Sequence, residues 1–259
     1  MLERFRSAKG PEILALRAAA AEGRLPAPFA GPRPGFAAAL RGRRPLAVIA
    51  EYKRASPSRG AINLALSPEA SAGAYAEAGA AALSVLTEAK YFQGSLGFLA
   101  AMAGRGLPLL RKDFLFDPLQ VAETAATPAS ALLLIARMFP DAAGLAGMLR
   151  CCRAAGLEAV TEVFDARDLD LARAAGAEII QVNNRDLDTL RVDMANSRRL
   201  AAAKRPGELW ISASGIGTSQ QALELAELGF EAVLVGTSLM AAADPGAALR
   251  ELVQGLEGS

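Results

Sequence analysis

The sequence predicts an α/β protein, a closed (β/α)8 barrel of the TIM type with an N-terminal helical extension. Short apolar, partly β-branched runs recur eight times, with Ala-, Leu- and Glu-rich segments of helical spacing between them. These runs do not alternate cleanly between apolar and polar residues, so both of their faces are covered, as in a parallel sheet flanked by helices. The length agrees, since 259 residues is close to the roughly 250 of a single barrel.

In chain order the expected strands are 46–52 (LAVIAEY), 81–88 (AALSVLTE), 107–112 (LPLLRK), 131–136 (ALLLIA), 158–163 (EAVTEV), 178–183 (EIIQVN), 209–214 (LWISAS) and 231–237 (EAVLVGT). Helices are expected at SPEASAGAYAEAGA, FDARDLDLARAAGA and TSQQALELAELGF, among others. Ser67, ahead of Pro68 and Glu69, and Asp165 are N-cap residue types. Residues 1–45 precede the first strand, read as helical and carry Pro and Gly clusters at LPAPFAGPRPG. They are too long for a tail and too short for a domain, so they are expected to pack on the barrel (46–259) within one domain, lidding one end. An open doubly wound sheet is the competing arrangement, but it wants a glycine-rich phosphate fingerprint after its first strand, and the sequence has none there.

With 28 basic against 27 acidic side chains, the formal net charge is +1. That balance gives no case for a nucleic-acid or anionic-membrane partner. No apolar run reaches the roughly 18 residues of a membrane helix. The charges scattered through MLERFRSAKGPEILALR break any signal-peptide core. A cytoplasmic protein is the expectation. Cys151 and Cys152 are adjacent and cannot staple distant parts of the fold. They read as helix packing residues in a reducing compartment rather than a redox pair. Histidine is absent altogether, which removes the commonest general base and the commonest zinc ligand. Acid–base chemistry therefore falls to Lys, Glu, Asp, Tyr or Cys, and a metal would need an oxygen-only site.

The first strand begins as core and ends in charge. Glu51 and Lys53 lie two apart, on the face shared by Ile49. Lys112 closes the third run, Glu162 the fifth, Asn183 and Arg185 the sixth, Ser214 and Gly215 the seventh, and Gly236, Thr237 and Ser238 the eighth. In a (β/α)8 barrel the C-terminal mouth holds the reacting groups above an apolar interior. Any one of these residues could be a solvated loop edge. Their coincidence at one end of the barrel points to an active site. SASGIG and VGTS are both expected to open helices with small residues, leaving backbone N–H groups for a phosphate after strands seven and eight, with the Ser56 hydroxyl opposite. The expected partner is a phosphorylated small molecule.

AEYKRASPSRG, SVLTEAKYFQGS, LRKDFLFDPLQV, VTEVFD, VNNRDL, SGI and VLVGTSLM, in this order, resemble indole-3-glycerol phosphate synthase of tryptophan biosynthesis. The resemblance covers essentially the whole chain, and LRKDF with NNRDL downstream is its most specific part. It implies a ring closure without metal or cofactor, in which 1-(2-carboxyphenylamino)-1-deoxyribulose 5-phosphate loses CO2 and water. It also implies roles. Lys112 would be the general acid at the ribulose carbonyl, and Glu162 would take the proton lost on dehydration. Glu51 and Asn183 would orient these groups, while Lys53 and Arg185 would face the anthranilate carboxylate. Ser56, Ser214, Gly215, Gly236 and Thr237 would hold the phosphate; Phe92 and Leu115 would cover the aromatic ring. Other tryptophan-pathway enzymes stay open as partners.

Two positions depart from the family pattern. Ala213 stands where Ser-Glu-Ser-Gly would place glutamate, and Gln181 stands where glycine is common. Gln181 shares a strand face with Asn183, so it is expected to supply the hydrogen-bonding capacity the missing glutamate leaves vacant; neutral drift is the plainer explanation. Three other activities stay open at this point. They are an isomerase for a related phosphosugar, an aldolase with Lys112 as Schiff-base nucleophile, and a non-catalytic relative that binds anthranilate-like phosphates.

Overall fold

The computed structural model describes residues 2–43, 45–187 and 189–257. The outer bounds of the two expected regions (residue 1 and residues 258–259) and residue 44 lie outside them.

Eight strands pair in parallel in chain order, and the eighth closes on the first. They are Ala47–Tyr52, Ala82–Leu86, Leu109–Lys112, Ala131–Ile135, Glu158–Val163, Ile179–Asn183, Leu209–Ala213 and Ala232–Val235. Each coincides with an expected run to within two or three residues. Most are buried along their whole length, as in Ala47–Tyr52, because side chains alternate between the barrel interior and the surrounding helices.

The helices begin where the local chemistry says they should. Ser67 caps Pro68–Glu77 by accepting from Ala70 N at 3.1 Å. Asp165 caps Ala166–Ala175 by accepting from Asp168 N at 2.9 Å. Each satisfies an amide that the first turn would otherwise leave without a partner. Between the first strand and its helix the chain inserts a two-stranded hairpin, Ala55–Ser56 against Gly60–Ala61. No helix is long and apolar enough to cross a membrane among the described residues.

The N-terminal helix Leu2–Ala21 crosses onto the barrel through a buried ionic cluster. Lys9 is 3% exposed, and its Nζ lies 2.7 Å from Asp113 Oδ1 and 2.8 Å from Glu12 Oε2. Arg111, on the outer face of the third strand, reaches Asp113 Oδ2 at 3.3 Å and Glu123 Oε2 at 2.8 Å. The Thr87 hydroxyl and the Phe114 amide donate to the same Asp113 carboxylate. Burial pushes the Asp113 carboxyl up, but Arg111, Lys9 and the donated hydrogen bonds outweigh it and hold it below its ordinary value. The extension is thus tied to the residue next to Lys112. A second short helix, Phe36–Leu40, has its first amides held by the Glu158 carboxylate, which accepts from Phe36 N at 2.5 Å and from Ala37 N at 3.0 Å.

Candidate active site

The strand ends converge on a cavity of about 550 Å³ at the C-terminal mouth, within the few hundred to about 1,000 Å³ of small-molecule sites. Glu51, Lys53, Ser56, Phe92, Lys112, Glu162, Asn183, Arg185, Ser214, Gly215, Gly236 and Thr237 all line it.

Glu51 organises one wall. It is 3% exposed, Lys53 Nζ donates to its Oε1 at 2.7 Å, and Lys112 Nζ stands 3.9 Å from its Oε2. The Ser84 hydroxyl donates to Oε2 at 3.4 Å from the second strand. Burial pushes the Glu51 carboxyl up, yet the two ammonium groups and these hydrogen bonds carry it below its ordinary value. Its carboxylate fits here because Gly236, at the end of the eighth strand, has no side chain. A Cβ at 236 would lie 2.9 Å from Glu51 Cβ and closer still to Oε1.

Glu162 and Asn183 face the cavity from the fifth and sixth strands, 3% and 5% exposed. Asn183 Oδ1 accepts from Arg185 N at 2.9 Å, and Arg185 Nη1 donates to Leu190 O at 2.9 Å. These bonds fold the segment after the sixth strand over the mouth, with Arg185 bridged to Val192. Burial lowers the Arg185 proton affinity, Glu51 raises it and Arg59 lowers it, with the net change downward. The neighbouring Asn184 is structural. Its Nδ2 donates to Ser212 Oγ and to Ser214 O, both at 3.1 Å, tying strands six and seven together.

The loops after the seventh and eighth strands match the expectation only in part. Thr237–Met240 starts directly after Gly236, as VGTS suggested. SASGIG does not open its helix directly. Ser219–Glu227 begins four residues past Gly215, and the Gly217 and Thr218 amides are taken by Gln221 Oε1 at 2.9 and 3.2 Å. The reason is a capping box that needs Thr218 as N-cap. The turn itself is made by Ser214 and Gly215, with φ of +71° and +85°. Ser238 Oγ donates to Ile216 O at 3.3 Å and joins the two loops.

The aromatic cover also differs. Phe92 sits in the turn Ala89–Phe92, whose amides converge on the Glu88 carboxylate, and it lines the cavity. Leu115 does not: it is fully buried in the core. Phe114 takes the mouth-facing place because Phe5 of the extension stacks on it, centroids 4.0 Å apart at 11°. The next side chain then packs inward. Phe5 and Phe114 both line the cavity, as do Arg59, Leu187 and Leu190. Phe114 lay within the LRKDF motif and Arg59 within the charged turn after the first strand. Nothing local to MLERFRSAK marks Phe5.

Ala213 lines the cavity and is 3% exposed. Gln181 points inward as expected but does not turn toward it. Gln181 Nε2 donates instead to Glu162 Oε2 at 2.6 Å, on the other side of the sixth strand. The register explains the choice, since Gln181 pairs with Glu162, whereas Asn183 pairs with Ala213. The position of the missing glutamate therefore stays part of the cavity.

A family model described as indole-3-glycerol phosphate synthase matches residues 7–252. The indole-3-glycerol phosphate synthase of Roseiflexus sp. (strain RS-1) is 46% identical over 240 residues, covering 88% of each chain. That of Syntrophobacter fumaroxidans (strain DSM 10017 / MPOB) is 44% identical over 218 residues, 83% of this chain and 82% of its own. Among solved structures, 3-hexulose-6-phosphate synthase from Salmonella typhimurium superposes with a TM-score of 0.64 at 17% identity, over 82% of this chain and 99% of that one. That likeness is one of fold alone. A histidine-free mouth of lysines and carboxylates, matched across nearly the whole chain, leads to one conclusion: the chain belongs to the indole-3-glycerol phosphate synthase family, carboxy-lyases of tryptophan biosynthesis.

Proposed function

We propose that this cavity converts 1-(2-carboxyphenylamino)-1-deoxyribulose 5-phosphate to indole-3-glycerol phosphate, with Lys112 as general acid and Glu162 as base. The observation that carries the assignment is the line Lys53–Glu51–Lys112, at 2.7 and 3.9 Å, along one wall of the cavity. A buried carboxylate there holds two ammonium groups over the substrate space.

The chemistry follows in three steps. The ring carbon bearing the carboxylate attacks the ribulose carbonyl carbon, and Lys112 gives its proton to the carbonyl oxygen. The carboxylate then leaves as CO2, its bonding pair returning to the ring to restore aromaticity. Last, the new hydroxyl departs as water while Glu162 accepts a proton from the adjacent methylene carbon, and the double bond of the indole forms. The proton Glu162 took up balances the one the leaving hydroxyl needs; Lys112 is recharged from solvent. General acid–base catalysis of this kind contributes about 10²–10⁴-fold.

Lys53 and Arg185 face the anthranilate carboxylate, with Arg59 beside them. Asn183, held by Arg185 N at 2.9 Å, orients the sugar hydroxyls. Ser56, Ser214, Gly215, Gly236 and Thr237 hold the phosphate. Phe92, with Phe114 and Phe5, covers the aromatic ring. Because Phe5 comes from the extension, extension and barrel act as one domain.

The test is direct. Purified protein given the carboxyphenylamino substrate should develop indole fluorescence with one CO2 released per indole formed. Tight binding without fluorescence would instead point to a non-catalytic relative.

A further inference from the structure

Gln181 lies one step below Asn183 on the same face of the sixth strand, fully buried. Its Nε2 donates to Glu162 Oε2 at 2.6 Å, and the register sets the two residues side by side on neighbouring strands. Its Oε1 has no hydrogen-bond partner among the described residues. A buried amide with an unmet acceptor is less favourable to folding than an apolar side chain of the same size. The unmet acceptor by itself gives no reason for this residue.

Its hold on Glu162 does. An ionised carboxylate only accepts hydrogen bonds, so the amide must present its N–H. The terminal torsion of a free glutamate is broad; a short bond to one oxygen fixes it and leaves the other for the substrate. The donor is also neutral. A lysine here would neutralise the carboxylate, whereas an amide orients it and leaves its charge in place.

We propose that Gln181 is the positioning residue for Glu162, holding its carboxylate in the orientation that removes the proton in the dehydration step. This rests on the role given to Glu162 above. It requires that Gln181 matter after CO2 has left and not before.

The experiment is a single turnover of the carboxyphenylamino substrate that follows CO2 release and indole fluorescence together. Gln181→Met keeps the volume and removes both amide ends. CO2 release should match the parent chain, while indole formation lags it by about tenfold or more. Glu162→Gln should show the same lag. If it does and Gln181→Met shows none, or slows both signals equally, the proposal is overturned and the role of Glu162 stands. If Glu162→Gln shows no lag, or the parent chain forms no indole, the role of Glu162 falls and the proposal falls with it. Should Gln181→Met not fold, Gln181→Glu decides. A carboxyl donates only while protonated, so its lag should grow as pH rises. A lag independent of pH, or no lag, overturns the proposal.

Discussion

A single missing side chain makes room for the charge pair at the heart of the site. Glu51 occupies space that a Cβ at 236 would contest, so Gly236→Ala should displace its carboxylate and with it both lysines. A displacement of about 1 Å is worth about 100-fold in rate, and kcat should fall by that order; Tm should fall too, because the added Cβ crowds Glu51 Cβ as well as its carboxylate. Glu51 also sets an acid limit. Its carboxyl is held below the ordinary 4.5 by Lys53 and Lys112 against the opposing effect of burial, so its stabilisation is present above that value and lost as pH falls through the folded-state value. Melting curves of the parent chain and Glu51→Gln should differ most near neutrality and converge well below pH 4.5; a constant gap would contradict the assignment. Most of these residues were legible in the sequence because each sits where an apolar run turns polar. Glu51 and Lys53 announce themselves by sharing a face with Ile49. Leu115 could not be read that way, since only the Phe5–Phe114 stack decides which of two neighbouring apolar side chains meets the cavity.

Among the elements, the N-terminal helix is the least expected participant. Its composition says only that it is helical. Its place comes from Lys9, whose burial against Asp113 and Glu12 no local pattern reveals. Breaking a buried pair by removing one partner costs about 3–5 kcal/mol. Arg111 still partners Asp113, so Lys9→Met should fall at the low end, about 3 kcal/mol. In a chain of this size that corresponds to a Tm lower by about 6–12 °C, measured with the far-ultraviolet circular dichroism otherwise unchanged. An unaltered Tm would mean that the helix is held by its apolar face alone. The loop after the seventh strand teaches a related lesson. Glycine and serine in SASGIG correctly marked a tight turn, but the helix start was set by the Thr218–Gln221 capping box three residues further on.

On the scale of the whole molecule, the barrel was readable because each of its eight runs obeys one rule, burial on both faces, and closure follows once all eight are parallel and in order. What the sequence could not show is which strands exchange side-chain hydrogen bonds. Gln181 was expected to serve the space at Ala213, and the register sends it to Glu162 instead. Charge tells a similar story. The net charge of +1 hides a mouth where four cations, Lys53, Arg59, Lys112 and Arg185, meet three carboxylates, Glu51, Asp113 and Glu162, with Asp113 already held by Lys9 and Arg111. An anionic substrate is drawn by that local field, so KM should rise with added salt as screening shortens to about 8 Å at physiological ionic strength, with kcat little changed. The measurement that bears most directly on the chemistry is the rate of indole formation by Lys112→Ala beside the parent chain at saturating substrate. Lys112 as general acid requires a loss of about 10²–10⁴-fold with the fold intact; turnover at the parent rate would mean that another group protonates the carbonyl oxygen.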